Sequence, residues 1–539
     1  MISKNVIPPE QLPGMNRLAA DYCTHAPAAA GFFAGDFSRP EAWLERAVEV
    51  GRADHADRGR VIAALRRQLD QLEAGPQSMA NLELLASPNA LAIVTGQQAG
   101  LFGGPLYTLY KALTTCKLAR HWSEQLGRPV VPVFYVVSED HDFVEVQGAG
   151  YLEGGHILKK ALYSPSSLRE RMPVGLVRLE AEIDAVLAEL AGSVPEAEFK
   201  AEVIADLASC YHPGAGFAGA FSRWYARLLG ELGMVFLDPA DPELKRLAAP
   251  LFRRELEKRI TVERIEIANT ELLAGGYHTQ LPVHPLRPAL FLLRDGRHSL
   301  ERTGNGYRNL HSGEILAIDE LMAAPEQLSP KAALRPLFED YLLPTLAYVG
   351  GPGEIAYWAQ LKGVYAGFGL PMPMVVPRAG FTLVEGRSRR ALERFGIAAA
   401  EVVQRPTEIL AALRERLVPA DLAGELAELK AIIGQRWPRL QGGITALDQT
   451  LQVPAEKSLQ QLMYTLNQLE QKVVRAAENR ESAGQAQIDA LTAALLPGGI
   501  LQERQLNAVP FLCRHGRGLI GELYEAIDAA NPGHSVVEL

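Results

Sequence analysis

Two nearly unbroken apolar runs with a single helix between them constrain the fold of this 539-residue chain more than any other feature. The first run, LAIVT at 91–95, ends in β-branched side chains, as buried strands do. The second, PVVPVFYVV at 129–137, is apolar almost throughout, the mark of a parallel strand covered on both faces. After Pro105, Leu106, Leu109, Tyr110 and Leu113 recur at helical spacing, which predicts a helix over 106–126. Parallel neighbours need a crossover of this kind, so the segment reads as a βαβ unit.

Each strand runs into a loop rich in chemistry. The first breaks into Gly96, Gln97, Gln98 and Gly100, then Gly103, Gly104 and Pro105. A strand, a glycine-rich turn and a helix start together expose backbone N–H groups to an anion, because glycine keeps side chains out of its way. Gln97 and Gln98 add amide donors, Tyr107 a hydroxyl and Lys111 a positive charge, which completes a candidate set for substrate or nucleotide. No Gly-Lys-Ser/Thr ends the turn, so it is not a P-loop, and the dinucleotide fingerprint does not fit. Glycine turns of this layout also occur for packing alone.

The second strand ends in Ser138, Glu139, Asp140, His141 and Asp142, where open α/β sheets hold their ligands. Carboxylates crowded beside an imidazole perturb one another's protonation unless a cation, donor or substrate offsets the charge. Asp140, His141 and Asp142 are the candidate catalytic groups, with Ser138 and Glu139 as binding residues. The plainer reading is a solvated acidic loop that caps a helix.

Further along, Leu346 to Val349 reads as a strand, broken by Gly350, Gly351, Pro352, Gly353 and Glu354 before a helix over 355–365. This repeats the first device and makes Gly350, Gly351, Gly353 and Glu354 a second candidate ligand loop. MVFLDP at 234–239 and the run at 373–377 supply further core strands, and 244–267 reads as one long charged helix. Asp295-Gly296 is placed to close a hairpin, with His278, His284 and His298 nearby at surface or hairpin positions rather than as metal ligands. Arg335 opens a helix after Ser329-Pro330.

Beyond residue 384 the pattern changes. Leu422, Leu426, Leu429, Ile433 and Leu440, then Leu459, Leu462, Leu466, Leu469 and Val473, form two heptad-like seams. Val453-Pro454 reads as the turn of an antiparallel helical hairpin whose first arm is kinked or broken at Pro438 and Gly442-Gly443.

A net charge of −9 argues against nucleic-acid and anionic-membrane partners, so an anionic substrate must meet local positive groups. No apolar run approaches the ~20 residues that span a bilayer. Four scattered cysteines without a CxxC pair suit a reducing cytoplasm and give neither a structural zinc site nor a disulfide framework.

TGQQAGLFGGPLYTLYK, PVFYVVSEDHDF, LSPKAALRPLFEDYLLPTLAYVGGPGEIAYWAQL and GGILQERQLN together resemble the cysteine-adding enzymes of bacillithiol biosynthesis, the BshC family. The resemblance implies an α/β fold: a Rossmann-like parallel-sheet core over 1–385, with insertions near 150–210 and 270–325. It implies an α-helical coiled-coil arm over 386–490, C-terminal helices over 491–539 and a homodimer through the arm. It implies cysteine and glucosaminyl-malate as substrates of an amide-forming ligase. Amide formation from a free carboxylate is uphill in water, so ATP or another nucleotide is expected, with Mg²⁺ as a companion. Arg335 and Lys111 are candidates for malate or phosphate contacts. The alternative is a metal-dependent hydrolase or nucleotidyltransferase-like enzyme built on residues 139–142.

Overall fold

The computed structural model describes residues 4–480, 482–530 and 533–539. They form two compact units. One comprises Met1–Gly154, Leu158–Leu383 and Ile500–Val537, and the other Gly155–Ile157, Val384–Gly499 and Glu538–Leu539.

The first unit is organised by a five-stranded parallel sheet. Its strands are β1 (Leu91–Gln98), β2 (Val130–Val137), β3 (Val235–Leu237), β4 (Thr345–Gly350) and β5 (Met374–Pro377), in the spatial order β5-β4-β1-β2-β3. β2 is buried at every position and β1 at its first six, which explains their apolar runs. Helix α1 (Leu106–Leu126) crosses from β1 to β2 and stops at Gly127, whose left-handed backbone (φ 59°) glycine adopts without cost. The strand order reverses direction between β1 and β4. In open α/β sheets that switch point, at the carboxyl ends of the strands, is where ligands bind.

The segment expected as an insertion near 270–325 supplies most of a five-stranded antiparallel sheet. Its spatial order is Ile315–Ala317, Gly306–Asn309, Arg297–Thr303, Leu290–Leu293 and Leu328–Pro330. The Asp295-Gly296 hairpin forms, both residues taking positive φ. The expected long helix over 244–267 is three helices instead, Pro242–Leu247, Ala249–Lys258 and Ile260–Ala274, the last two separated by Arg259 in a left-handed conformation (φ 51°). After β4 the helix likewise divides, into α3 (Pro352–Trp358) and Lys362–Phe368; α2 (Arg335–Leu342) precedes the strand.

The second unit contains a helical hairpin, α4 (Ala420–Leu447) and α5 (Gln452–Arg480). The break expected at Pro438 does not occur: a missing N–H removes one hydrogen bond from a 28-residue helix, which continues. Nor does the chain reverse at Val453-Pro454. It reverses at Asp448, whose carboxylate accepts from the Thr450 N–H and hydroxyl, both at 2.8 Å. Pro454 falls in the first turn of α5, where its N–H is not needed. Lys430 and Glu470 pair across the hairpin at 2.5 Å. Among the described residues, no helix is long and apolar enough to cross a membrane.

Candidate active site

At the switch point the ends of β1 and β4 are tied by a buried ion pair. The Lys111 ammonium, 1% exposed, donates to Glu354 Oε2 at 2.6 Å, to the Gly96 carbonyl, and more weakly to Gln97 Oε1 at 3.4 Å. Glu354 also accepts from the Gly351 N–H (2.9 Å) and the Tyr348 hydroxyl (2.6 Å). Burial drives the Lys111 ammonium below its ordinary range, with Glu354 opposing. Burial works the other way on Glu354, yet Lys111 and the Gly351 N–H hold its carboxyl below the usual carboxylate range. Gln97 links the pair to Tyr107, whose hydroxyl accepts from it at 3.3 Å and whose ring faces the Arg378 and Arg504 guanidiniums at 5.5 and 6.0 Å. Arg378 is fixed by Glu503.

Beside it, beyond the carboxyl ends of β2 and β3, opens a cavity of about 620 Å³. Its polar lining includes Glu139, Asp140, His141, Arg287, Arg297, Lys331 and Arg335, against an apolar wall of prolines, Val283 and Phe291. Asp140 joins the two regions: it accepts from Gln98 at 2.7 Å, from Arg297 at 3.3 Å and from the His141 N–H at 2.8 Å. Burial alone would raise its carboxyl, but Arg297 and these donors hold it below the usual range. The His141 imidazole is pushed down by burial and by Arg297, and its Nδ1 lies 3.6 Å from Asp140. Glu139 is held between Lys245 and the Ser329 hydroxyl (2.9 Å). Arg335 donates to the Tyr357 hydroxyl at 3.2 Å. The Lys331 ammonium is lowered to about 8 by burial and by Arg287 and Arg297.

The structure thus gathers Gly96, Gln97, Tyr107, Lys111, Gly350, Gly351 and Glu354 at the switch point, with Gly353 open on the first turn of α3. Gln98, Glu139, Asp140, His141 and Arg335 belong to the cavity or its rim.

Five expected residues take other roles. Gly100, Gly103 and Gly104 form a packing turn rather than an anion cradle. The Gly103 N–H is engaged by the Gly100 carbonyl and the Tyr211 hydroxyl, both at 3.1 Å, and the Gly104 N–H by Leu101 at 3.0 Å. The Asn507 amide donates to Gly104 O at 2.7 Å, and Tyr225 to Gly103 O at 2.9 Å. Ser138 is fully buried and donates its hydroxyl to Asp238. Asp142 is exposed and does not line the cavity.

Arg287, Arg297, Lys331, Phe291 and Arg378 escaped sequence reasoning. The antiparallel sheet brings four of them in, and only the arginine following an Asp-Gly turn inside an apolar hairpin hinted at it. His298, expected at a surface or hairpin position, is in the hairpin but buried, stacked on His311 with ring centroids 4.2 Å apart. Among the described residues, no group of three or more His, Cys, Asp or Glu side chains is placed to hold a metal ion.

A parallel sheet of this order, ligand-type residues at its switch point and a separate helical hairpin define an α/β protein with a Rossmann-like core and a coiled-coil domain. The family descriptions "Bacillithiol biosynthesis BshC, N-terminal Rossmann-like domain" and "Bacillithiol biosynthesis BshC, C-terminal coiled-coil domain" match residues 2–379 and 381–539. A Salinibacter ruber protein named "Putative cysteine ligase BshC" is 35% identical, covering 98% of this chain and 97% of its own. Proteins of the same name from Solibacter usitatus (34% identical, 98% of each chain) and Symbiobacterium thermophilum (35%, 94% of each) are similar over comparable lengths. The chain belongs to the BshC family of bacillithiol biosynthesis.

Proposed function

We propose that this chain is a ligase that joins the carboxyl group of cysteine to the amino group of glucosaminyl-malate, and that a nucleoside triphosphate, ATP or another, supplies the free energy. The observation that carries the reading is the cationic cavity. Arg287, Arg297, Lys331 and Arg335 face one 620 Å³ space whose own carboxylates, Glu139 and Asp140, are already paired. Such a lining lacks an anion, and the two carboxylates of a malate group meet that need with charge-assisted hydrogen bonds.

The nucleotide's place in this reading is the switch-point crevice. There the Tyr107 ring, Gln97 and the Arg378 and Arg504 guanidiniums offer a stacking face and phosphate partners, a donor set that fits such a group. The cavity residues then orient the aminosugar toward the crevice, and the pair Lys111–Glu354 fixes the distance between the two glycine-bearing loops. With Glu139 and Asp140 engaged, Mg²⁺ accompanying the nucleotide draws its ligands chiefly from phosphate and water oxygens. The same pairing disfavours a metal-dependent hydrolase built on residues 139–142.

The test is incubation of the purified protein with cysteine, glucosaminyl-malate and each nucleotide in turn, followed by mass analysis. The amide product is expected with one nucleotide and absent without any. No product in any mixture contradicts the reading.

The same proposal includes a cytoplasmic homodimer through the helical hairpin. The four free cysteines suit a reducing compartment. Leu429, Leu440 and Leu469 stand 43%, 53% and 48% exposed along the hairpin, an apolar stripe that a second copy would cover. Light scattering should give a dimer mass for the wild type and a monomer mass for Leu429→Lys/Leu469→Lys; a mass that does not change removes the hairpin as the interface.

A further inference from the structure

Around the cavity, one cation is left without an acceptor among the described residues. Arg297 is held by Asp140, by Ser329 at 3.2 Å and by the Pro330 carbonyl at 2.8 Å; Arg335 is held by Tyr357 and Arg287 by Glu301 at 3.4 Å. Among the described residues, the Lys331 ammonium has no hydrogen-bond or ion-pair partner; it lies 4.8 Å from the Phe291 ring, which also carries the Arg297 guanidinium at 4.3 Å. Its backbone is fixed, since the Lys331 N–H donates to Ala289 at 2.9 Å directly after the strand Leu328–Pro330.

The charged groups that act on Lys331 are Arg287 and Arg297, which repel, and Glu255, which attracts. Glu255 is already occupied by the Ala289 N–H at 2.8 Å and by Thr261. Binding an anion does not require a lysine here, because three arginines already face the space. Arginine cannot give up its proton in a protein, whereas a lysine crowded by guanidiniums can.

The other candidate bases are constrained. Asp140 accepts three hydrogen bonds and Glu139 is locked between Lys245 and Ser329. His141 stays neutral near pH 7, but burial and Arg297 make it a weaker base than an ordinary imidazole.

We infer that Lys331 is the proton acceptor for the amino group that attacks in the ligation, an inference that rests on the function proposed above. The aminosugar arrives as an ammonium ion and passes one proton to the lone pair of Lys331 Nζ. The freed nitrogen lone pair forms the C–N bond to the nucleotide-activated cysteine carboxyl. The phosphate-bearing group leaves with the electron pair of its C–O bond, and the second nitrogen proton goes to solvent. The Lys331 ammonium then returns its proton to water. Burial and the two arginines bring the ammonium to about 8, which matches it to a proton exchanged near neutral pH.

The test compares pH–rate profiles of product formation for wild type, Lys331→Arg, Lys331→Ala and His141→Gln. Wild-type kcat/KM should rise with pH to a plateau above about 8. Lys331→Arg keeps the positive charge and should keep KM for the aminosugar within about threefold, while kcat falls about 10²–10³-fold. Lys331→Ala should be rescued by small primary amines, which a merely structural role would not allow. Wild-type kcat in Lys331→Arg, failure of amine rescue, or a rising limb that moves only with His141→Gln each overturns the inference while the ligase reading stands. A wild-type protein that makes no product with any nucleotide removes that reading and this inference together.

Discussion

Two glycine-rich turns in this protein follow the same sequence recipe and end differently. Both leave a buried strand of the parallel sheet and lead into a helix. The turn after β1 folds inward, and aromatic residues and Asn507 hold its backbone groups. The turn after β4 stays at the switch point, where Gly353 faces open space and a Cβ on Gly351 would meet the Arg378 and Glu354 side chains at 3.4 and 3.6 Å. The difference comes from what covers each turn. The helix Phe217–Leu228 brings Trp224 and Tyr225 onto the first, whereas the second is met by polar groups, with Asn16 donating to the Pro352 carbonyl at 2.9 Å and Glu354 accepting from the Gly351 N–H. A glycine count therefore identifies a turn, and what packs over it decides whether the turn serves packing or a ligand.

The largest effect should come from disturbing the inward turn. A Cβ on Gly100 would lie 2.7 Å from Gly104 Cα, backbone that cannot give way, so Gly100→Val should cost about 4 kcal/mol of stability by denaturant titration. An unchanged midpoint would show that this turn is not packed as described. Next is Glu354→Gln, which strands the buried Lys111 charge and should cost about 3 kcal/mol at pH 7. Because the folded-state pKa of Glu354 is depressed, its contribution is present above the unfolded carboxylate pKa and is lost as pH falls through the folded value. The gap between variant and wild type should therefore close in acid, and a gap that is constant with pH contradicts the pairing.

A smaller, opposite effect is expected beneath the cavity, at the buried Asp340 on α2. Burial pushes its carboxyl up to about 7, and it accepts from Tyr365. Here the folded state favours the proton, so stability falls as pH rises from about 4 to about 7. Asp340→Asn should gain on wild type by about 1–2 kcal/mol across that window, the weaker bond from Tyr365 offsetting part of the relief. Melting curves at pH 4, 5.5 and 7.5 decide it, and a gain that shrinks with rising pH contradicts the sign. Smallest of all in stability is Gly351→Ala, whose φ of −84° suits any residue. Its melting temperature should hold, while nucleotide binding by titration calorimetry weakens.

Much of the fold was legible because burial writes itself into composition. The β1 and β2 runs, the helix 106–126 and the hairpin at Asp295-Gly296 all follow from local pattern. The breaks at Arg259 and between Trp358 and Lys362 were not, since one residue's backbone conformation leaves little trace in periodicity. The acidic segment 139–142 was found but its members could not be sorted, because Lys245, Ser329 and Arg297, which engage Glu139 and Asp140, come from up to 190 residues away. Cations contributed by a separate sheet leave no motif beside the acidic segment, so Lys331 has no local signal and Arg297 only its place after the Asp295-Gly296 turn.

Where the anionic substrate is held is decided most directly by one calorimetric comparison. Glucosaminyl-malate is titrated into wild type, Arg287→Ala and Gly103→Ala, at protein concentrations corrected for folded fraction. Gly103 has φ 93° and a Cβ there would meet Trp224 at 3.1 Å, so its variant is strained but leaves the cationic lining, to which Gly103 does not belong, unaltered in sequence. The account predicts a Kd about tenfold weaker for Arg287→Ala, from the loss of a charge-assisted contact, and a wild-type Kd for Gly103→Ala. Weakened binding in Gly103→Ala with unchanged binding in Arg287→Ala would return the ligand to the first glycine turn and contradict the assignment.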